Sequence, residues 1–510
     1  MKEDKLCIII QAGGRGSRMR HNTWNKPKCL ISIDGKPILY HLFDIFTYAK
    51  FIIISDYKHD ILSNYLELFP PDVDCKIVET KRKGTSSELN TINRDLDHEY
   101  SILLLWSDLL LSKPPDFLNK RNLTIGISSE FKCRWVVKKD GTLVEQPSIN
   151  NGVIGLFFLP KNKRDIDLPN EGEFVKWLSQ KNIQVDYQQV QYIQEIGDVE
   201  SLKERRGRSN FCRFFNKVDI DSETVTKQVV DSQYEHILSQ EINWYIDMQR
   251  FNFDRIPKII SYKPFRMQRI KGLHPFEVSD LNKHNKMKII LNYFETLDKL
   301  HSLETTSSSK FKEECLNVYF EKTISRINSV KGLIPFSDKD SFTINGKRCK
   351  NWFARNAVDQ LKDIIKLHLL TDKYYCIHGD PTFSNSIIDH NWNVYFIDPR
   401  GYFHTKGIFG DKLYDYSKLF YSAVGGYDIF NRKEFALYLD DYSAELLINE
   451  SCFKIEAYNL FTEKFGEDII KIRIIHSMLW ASLSGYVKDD IDSIIGAYAH
   501  SLYLLENTLS

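Results

Sequence analysis

Glycines and cationic side chains with the spacing of a phosphate-binding loop follow the first apolar run of the chain, in the text IIIQAGGRGSRMRHNTWNKPKCL. The glycines are Gly13, Gly14 and Gly16, and the cations are Arg15, Arg18, Lys26 and Lys28. Glycines let the backbone turn tightly and approach a ligand without a Cβ in the way. Backbone N–H groups exposed in such a turn can bind phosphate oxygens, and nearby cations offset the phosphate charge. Glycine clusters are common after strands, so the prediction of a phosphate site depends on the cations.

Acidic and amide side chains with a different spacing occur in the text CIHGDPTFSNSIIDHNWNVYFIDPRG. Four residues separate Asp380 from Asn385, and Asp398 ends an apolar run thirteen positions after Asn385. Protein kinases use this arrangement: a loop Asp receives the proton of the substrate hydroxyl, while an Asn and a strand-end Asp bind Mg²⁺. The spacing therefore predicts phosphoryl transfer, with Asp380 as catalytic residue and Asn385 and Asp398 as metal ligands.

A further carboxylate, Asp108, interrupts the apolar text ILLLWSDLLL. An ionised carboxylate among such residues is costly unless it is paired or binds a metal. A loop Asp just after a strand is the simpler alternative, and the flanking apolar residues favour the metal-binding interpretation.

The elements that must position these residues differ between the two parts of the chain. Over the first two hundred residues, short β-rich runs alternate with amphipathic stretches, as in KLCIIIQ, FIIIS, CKIVET, SILLLWSD, LTIGIS and VIGLFFL. This alternation predicts an α/β domain whose mainly parallel sheet is covered on both faces. The charged text SLKERRGRSN breaks the pattern and predicts a turn-like boundary, with one domain over 1–205 and another over 206–510.

The second domain is predicted to have two lobes. Short strands and one helix occupy a small lobe over about 206–272, and helical periodicity dominates a larger lobe over about 273–510. One β-rich island is expected over 374–398, and the last ninety residues are predicted to continue the helices.

A buried ion pair is predicted inside the small lobe. The text ETVTKQVV alternates like a strand and contains Lys227. Glu241 shares the apolar stripe of the next helix, where an unpaired carboxylate is costly, and Lys227 is its best candidate partner.

Composition excludes several classes of function. The 510 residues contain 69 Lys and Arg against 68 Asp and Glu, for a net charge of +1. This balance argues against nucleic acid or an anionic membrane as the main partner. Nine scattered cysteines without CxxC spacing suit a reducing compartment, and no apolar run approaches the length of a membrane span. We expect a cytoplasmic protein without a membrane span, and a homo-oligomer is compatible with this composition.

The N-terminal text resembles nucleotidyltransferases that join an NTP to a sugar phosphate or an amino-alcohol phosphate. The matching positions are Gly13, Gly14, Gly16, Ser17 and Arg18, then Pro27, Lys28 and Leu30, then 35–38. The resemblance implies a Rossmann-like, GT-A-type mixed sheet. It also implies nucleotide binding by the glycine loop with Arg15 and by Gly84 and Thr85, and Mg²⁺ binding by Asp108 and Glu195. Glu195 is the weaker assignment, because a surface role would also suit it.

The same resemblance implies a mechanism. Mg²⁺ on Asp108 and Glu195, with catalytic Arg18 and Lys28 at the phosphates, would let a phosphomonoester dianion attack the α-phosphorus of the NTP. In many members that use sugar 1-phosphates, a Lys grips the acceptor phosphate where this chain has Gln146. An ordinary hexose 1-phosphate is therefore not the expected substrate.

The second domain resembles the aminoglycoside phosphotransferase and choline kinase superfamily, through HGDPTFSN, YFID and GDKLYDYSKLF. The resemblance implies a two-lobed, protein-kinase-like α+β fold in which Lys227 and Glu241 bind ATP and Asp415 steadies the catalytic loop. His301 is expected to be structural. Arg400 has two open interpretations, a contact with the acceptor or a phosphate, and a structural salt bridge.

Together the two resemblances imply consecutive reactions. An ATP-dependent kinase would phosphorylate a small sugar, polyol or amino alcohol, and a nucleotidyltransferase, with CTP favoured, would convert the phosphomonoester to an NDP-linked donor and pyrophosphate. Both sites would use Mg²⁺, and the donor would serve a surface polysaccharide such as a capsule. The alternative is a single nucleotidyltransferase with a non-catalytic kinase-like module, and transfer onto RNA is disfavoured by the charge balance.

Overall fold

Branched apolar residues form the buried strands of the first two hundred residues. A computed structural model describes residues 5–181, 183–207, 216–230, 232–278 and 281–510. Contacts divide the chain into a first unit, Met1–Ser209 with Asp489–Ile491, and a second unit, Asn210–Lys488 with Asp492–Ser510. Part of the predicted boundary region, 208–215, lies outside the described residues.

The first unit contains thirteen strands and five helices among its described residues. The strands are β1 (Lys5–Gln11), β2 (Ser32–Ile33), β3 (Lys36–Pro37), β4 (Lys50–Ser55), β5 (Cys75–Glu79), β6 (Tyr100–Trp106), β7 (Leu109–Leu111), β8 (Leu123–Ser128), β9 (Cys133–Val137), β10 (Leu143–Ser148), β11 (Gly152–Leu159), β12 (Val185–Gln189) and β13 (Ile193–Glu195). The helices are α1 (Ile38–Ile45), α2 (His59–Leu68), α3 (Leu89–Asp95), α4 (Phe174–Ser179) and α5 (Val199–Gly207).

Nine of these strands form one mixed sheet with the order β10-β9-β11-β6-β1-β4-β5, and β8 pairs with both β11 and β12. The four consecutive strands β6, β1, β4 and β5 are parallel, whereas β11 is antiparallel to β6. Strands covered on both faces read as continuous apolar runs, which is why CIII and ILLL were recognisable in the sequence. The predicted α/β class is confirmed.

The second unit begins with a four-stranded antiparallel sheet ordered β14-β15-β17-β16 and one helix. The elements are β14 (Asn216–Ile220), β15 (Thr224–Val229), α6 (Glu235–Arg250), β16 (Ile259–Tyr262) and β17 (Phe265–Gln268). Buried residues of α6 and of β17 belong to one apolar core. The small mixed arrangement predicted for this part of the chain is present.

The rest of the second unit is mainly helical. Its helices are α7 (Lys283–Ser302), α8 (Lys310–Leu316), α9 (Lys322–Asn328), α10 (Val358–Leu369), α11 (Lys412–Ala423), α12 (Tyr427–Asn431), α13 (Lys454–Phe465), α14 (Ile469–Ser484) and α15 (Ile491–Leu509). Its strands are β18 (Thr305–Ser307), β19 (Ser341–Ile344), β20 (Lys347–Lys350), β21 (Lys373–Cys376), β22 (Ser386–Ile388), β23 (Val394–Phe396), β24 (Phe409–Gly410), β25 (Phe435–Leu439) and β26 (Ser443–Ile448).

Two local expectations were wrong. The last ninety residues are not a continuous helical series, because β25 and β26 form a hairpin that joins β19 and β20 in a four-stranded sheet. The alternation of buried apolar residues with exposed ones in FALYL and SAELLI is the sequence signal for these two strands. The text SLKERRG is the helix α5 and not a turn, because Val199 and Leu202 bury an apolar face that the charged residues conceal in the sequence.

The eight cysteines that the structure describes are free thiols. Among the described residues, no helix combines the length and the apolar character needed to cross a membrane.

Candidate functional site

The first site lies where β1 and β6, neighbours in the sheet, end. Asp108 follows β6 directly, and its Oδ2 accepts a hydrogen bond from Nζ of Lys28 at 2.6 Å. Lys28 also reaches the carbonyl of Gly197 at 3.4 Å. Both side chains are largely buried, with 14% of Asp108 and 10% of Lys28 exposed, so their charges are weakly screened.

Pairing of two short strands brings Glu195 to this site. Strand β13 is antiparallel to β7 with Glu195 opposite Leu109, and Ile196 N donates to Asp108 O at 2.9 Å. Burial and the negative charge of Asp108 together raise the pKa of Glu195 to about 7, against the opposing effects of Lys28 and Arg18. The pairing of β7 with β13 thus holds the two carboxylates close to each other.

This carboxylate pair fits a divalent cation. Oδ1 of Asp108 is buried and accepts no hydrogen bond from the described residues, and Arg18 lies 3.8 Å from Glu195. No group of three or more His, Cys, Asp or Glu side chains suited to a metal occurs in the described part of the chain. Mg²⁺ commonly takes only one or two protein carboxylates and completes its shell with phosphates and water, which suits the pair Asp108 and Glu195.

The glycine loop after β1 leaves room for a ligand. A Cβ on Gly14 would meet no atom within 4 Å, and Gly16 has a left-handed backbone with φ of 61°. Arg15 and Arg18 are exposed beside it, with 68% of the Arg18 side chain accessible. Gly13 has a different role, since its Cα packs close to Asp56. The loop therefore presents open backbone at Gly14 and two exposed cations, Arg15 and Arg18.

One predicted loop cation is elsewhere. Lys26 is 3% exposed, and its Nζ donates to Asp490 of the same unit at 2.6 Å. Sequence proximity suggested a phosphate contact, but a buried lysine paired with a carboxylate is already neutralised. Lys26 is a structural residue.

Gly84 and Thr85 hold two loops together. A Cβ on Gly84 would lie 2.2 Å from the carbonyl oxygen of Gly172, and Gly84 has φ of +95°. The hydroxyl of Thr85 accepts a hydrogen bond from Phe174 N at 2.9 Å, at the start of α4. Nearby, Gln11 at the end of β1 donates to the carbonyl of Ser87 at 3.2 Å. The segment is thereby fixed next to the end of β1, close to the glycine loop.

Gln146 lies exposed on β10, where its Oε1 accepts a hydrogen bond from Nζ of Lys138 at 2.7 Å. Lys138 was not singled out in the sequence. It supplies a cation one residue beyond the end of β9, the strand that pairs with β10.

The second site is built on the loop between β21 and β22. One carboxylate oxygen of Asp380 lies 2.9 Å from Nζ of Lys418, and the other accepts from Nδ2 of Asn385 at 3.1 Å. Nδ2 of Asn385 also donates to the carbonyl of Asp380 at 2.9 Å. The predicted catalytic aspartate and the predicted amide ligand are therefore fixed against each other.

Asp415 on α11 holds this loop from behind. Its two oxygens accept the backbone N–H groups of His378 and Gly379 at 2.8 Å each, and His301 lies 3.2 Å from it. His378 is fully buried, and burial lowers its pKa. Its neutral ring donates from Nε2 to Ile397 O at 3.0 Å and accepts at Nδ1 from Asp380 N at 3.2 Å. His301, whose partner Asp415 lies over a hundred residues later in the chain, is structural.

Lys227 lies between two carboxylates. Its Nζ is 2.7 Å from Glu241 and also contacts Asp398, and all but 6% of its side chain is buried. Burial alone would lower the pKa of Lys227, but the charges of Asp398 and Glu241 raise it above its ordinary value. Asp398 has a left-handed backbone, φ 56°, at the end of β23. This strained turn directs the carboxylate to Lys227.

The second site also fits a divalent cation through few protein ligands. The Asp398 side chain is 30% exposed. Asn385 donates from its amide nitrogen, which leaves its amide oxygen available. One carboxylate and one amide oxygen are therefore available to a cation. Phosphate oxygens of a nucleotide would complete such a shell.

One residue of this site was not predicted, and the role of another was left open. Lys418, three positions after Asp415 on α11, was not singled out, and its spacing from Asp415 on one helix face was the available signal. Arg400 donates to the hydroxyls of Tyr414 at 2.7 Å and Tyr402 at 2.9 Å. No described carboxylate lies within 4.0 Å of Arg400 as an ion-pair partner, which removes the salt-bridge interpretation.

The sequence matches no established protein-family profile. The N-terminal part is similar to curated nucleotidyltransferases. UTP–glucose-1-phosphate uridylyltransferase AglF of Haloferax volcanii is 29% identical over 103 residues, 19% of this chain and 42% of that protein. A probable glucose-1-phosphate cytidylyltransferase of Bacillus subtilis is 40% identical over 63 residues, 12% of this chain and 25% of that protein. The chain thus spans less than half of the length of these relatives.

Two solved structures have low similarity to this chain. HddC from Yersinia pseudotuberculosis complexed with GMP-PN has 17% identity and a TM-score of 0.34, covering 39% of this chain and 97% of that one. The CTP:phosphocholine cytidylyltransferase LicC from Streptococcus pneumoniae has 17% identity and a TM-score of 0.31 over the same shares. The N-terminal part of the chain is accordingly similar in sequence to enzymes that transfer a nucleotidyl group to a phosphomonoester.

Proposed function

We propose that the chain is a bifunctional enzyme in which the second unit is an ATP-dependent kinase and the first unit is a nucleotidyltransferase. One observation carries the proposal: each unit brings together, from distant segments, a lysine and the acidic groups that phosphate chemistry requires. Asp108 with Lys28 does so in the first unit, and Lys227 with Asp398 does so in the second.

In the kinase reaction, the oxygen of the acceptor hydroxyl attacks the γ-phosphorus of ATP, and the bond to the bridging β,γ-oxygen breaks. Asp380 receives the hydroxyl proton, and its orientation is fixed by Asn385 and Lys418. Lys227, oriented by Glu241, binds phosphate oxygens of ATP. The products are ADP and a phosphomonoester.

In the nucleotidyl transfer, the phosphomonoester dianion attacks the α-phosphorus of the NTP, and pyrophosphate leaves. The nucleophile is already ionised, so no general base is needed. Lys28, Arg18 and the N–H groups of the glycine loop bind the phosphates and orient them in line. Asp108 and Glu195 would hold Mg²⁺ here, and Asn385 and Asp398 would hold it in the second unit, where its positive charge would offset phosphate repulsion.

The two reactions share an intermediate, since the phosphomonoester made by the kinase is what the nucleotidyltransferase consumes. The relatives named above are uridylyl- and cytidylyltransferases, and the resemblance to choline-phosphate enzymes favours CTP here. Gln146 in place of a lysine argues for an acceptor phosphate other than a hexose 1-phosphate. An NDP-linked donor of this kind suits the assembly of a surface polysaccharide.

The test is ³¹P NMR of the full chain with ATP, CTP, Mg²⁺ and a panel of small hydroxyl compounds. Asp108→Asn should abolish pyrophosphate release and leave phosphorylation by ATP intact, and Asp380→Asn should do the reverse. Loss of both reactions in either variant would refute two independent sites. If Asp380→Asn changed nothing, the second unit would be a non-catalytic module.

A further inference from the structure

Four cationic side chains, Lys322, Arg326, Arg400 and Lys418, lie close together in the second unit, and Lys322 lines a cavity. The cavity has a volume of about 450 Å³, and its lining includes Lys322, Ser325, Tyr402 and His404. Lys322 lies 5.7 Å from the ring of Tyr402, and Arg400 donates to the hydroxyl of the same ring. None of these lining residues was selected by the sequence motifs.

The hydroxyl of Tyr414 connects this cavity to the catalytic loop. Tyr414 accepts a hydrogen bond from Arg400 at 2.7 Å, and Nζ of Lys418 lies 5.8 Å from its ring. Lys418 in turn pairs with Asp380 at 2.9 Å. Asp380, the carboxylate that would receive the acceptor proton, is close enough to act on the charge of Arg400, so the four cations lie near the place where the acceptor of the proposed kinase would bind.

Negative charge does not balance these cations. Within the described residues, Lys418 pairs with Asp380, but Lys322, Arg326 and Arg400 have no carboxylate within 4.0 Å. Arg326 donates to the hydroxyl of Ser482 at 2.7 Å. The acidic residue of the cavity lining, Glu321, is paired with Lys362 at 2.6 Å.

The pKa of Lys322 reflects this excess of positive charge. Burial, together with the charges of Arg400, Arg326 and Lys418, lowers its pKa to about 6. Burial and Arg400 lower the pKa of Arg326 as well. Partly buried cations without counterions are unfavourable, and an anion bound among them would relieve the penalty.

We propose that the acceptor of the second unit carries an anionic group, a carboxylate or a phosphate, in addition to the hydroxyl that is phosphorylated. This inference rests on the proposed kinase function. It selects hydroxy acids and phosphorylated alcohols over neutral polyols, and it excludes cationic amino alcohols, which the charges of Arg326, Arg400 and Lys418 would repel. Lys322 and Arg326 bind the anionic group, while the free hydroxyl faces Asp380.

The phosphate groups of ATP are the competing occupants of the cluster. Lys227, paired with Glu241 and Asp398, is the proposed phosphate-binding cation, and it comes from β15, outside the segments that carry these four cations. Steady-state kinetics separate the two assignments. Lys322→Met should raise KM for the acceptor and leave KM for ATP unchanged, and the opposite pattern would overturn the inference.

Binding is measured by calorimetry on the full chain with ADP and Mg²⁺. The ligands are D-glycerate, glycerol 3-phosphate, glycerol and choline, which differ in the charge beside a hydroxyl. At least one of the two anions should bind tenfold or more tightly than glycerol and choline, and the stronger one identifies carboxylate or phosphate. Lys322→Met should remove at least tenfold of that affinity, and Lys322→Arg should retain most of it.

Two exposed residues of the same unit, Lys312 and Arg355, give matched controls. Lys312→Met and Arg355→Gln remove the same charges as Lys322→Met and Arg326→Gln, and they should leave binding unchanged. Equal affinity for charged and neutral ligands, or affinity unaltered by Lys322→Met, overturns the inference. Anion binding without ATP turnover would refute the kinase and keep the anion site, while turnover of choline would keep the kinase and refute the anionic acceptor.

Discussion

Several side chains of the two proposed sites lie in largely buried ion pairs. Asp108 with Lys28, Asp380 with Lys418, and Lys227 with its carboxylates each hold opposite charges together away from water. Such pairs contribute little net stability, because desolvation offsets their attraction, but removal of one partner leaves an uncompensated charge. The consequence is that variants in these pairs affect stability as well as chemistry.

Lys227→Met should destabilise the second unit by about 3–5 kcal/mol, because Glu241 remains buried without its cation. Urea unfolding followed by tryptophan fluorescence measures the change. The double variant Lys227→Met with Glu241→Leu should recover much of the loss, since it removes the orphaned carboxylate. If the single variant were as stable as the parent chain, the buried ion pair would not be structural.

Lys322 should make stability depend on pH. Its folded-state pKa of about 6 lies below that of an unfolded lysine, so the unfolded chain binds more protons above pH 6 and stability rises with pH there. The contribution is at most about 1.4 kcal/mol per pH unit. Arg326, Arg400 and Lys418 are the charged groups that face it.

The measurement compares the parent chain with Lys322→Met by urea unfolding at several values between pH 6.5 and 8.5, in buffers without phosphate. The parent chain should gain stability relative to the variant as pH rises, and Lys312→Met should follow the parent. A constant difference across this range would show that Lys322 keeps its proton.

At the scale of elements, short pairings decide the sites. The three-residue strands β7 and β13 place Glu195 beside Asp108. Helix α11 carries both Asp415, which accepts hydrogen bonds from the backbone of the catalytic loop, and Lys418, which pairs with Asp380 in that loop. Close approach of two loops at Gly84 and Gly172 fixes the segment next to the glycine loop. The strands β7 and β13 and the two loops are short, so their positions depend on the larger sheet or core against which they pack.

Two glycine variants in the first unit distinguish a glycine required for packing from a glycine on the open face of the phosphate-binding loop. Gly84→Ala should destabilise it by about 1–3 kcal/mol, because the new Cβ would collide with Gly172 O. Gly14→Ala should leave stability unchanged and weaken nucleotide binding, because its Cβ would enter only the open face of the loop. Thermal unfolding and CTP titration measure the two effects. Unchanged CTP affinity in Gly14→Ala would exclude that face of the loop as the phosphate site.

At the scale of the whole molecule, the described residues of each site belong to one unit. Asp108, Lys28 and Glu195 lie in the first, and Asp380, Asn385 and Asp398 lie in the second. Neither site draws a proposed catalytic group from the other unit. The two proposed reactions are therefore chemically coupled only through their shared phosphomonoester.

Full-length Asp108→Asn and Asp380→Asn chains should complement each other when mixed. Each variant keeps one intact site, so the mixture should form the NDP-linked product from the acceptor, with a lag while free phosphomonoester accumulates. Liquid chromatography of the nucleotide products follows the reaction, and each variant alone is the control. Absence of product from the mixture would show that the intermediate passes only within one chain.

The sequence by itself determined the residues whose chemistry depends on local spacing. The loop holding Asp380 and Asn385, the strand-end Asp398 and the glycines after β1 follow from a few consecutive residues, and apolar runs marked the strands of the first sheet. The pairing of Lys227 with Glu241 was also predictable, because a carboxylate on the apolar stripe of a helix requires a cation.

Only the tertiary structure decided which cations serve which site. Lys26 looked like a loop cation and is buried against Asp490, whereas Lys322, Arg326, Arg400 and Lys418 converge from three separate segments without any common spacing. The hairpin β25–β26 likewise depends on β19, about a hundred residues earlier in the chain. Periodicity reports the face that an element buries, but charge pairing between distant segments is settled by three-dimensional distance, which no local pattern encodes.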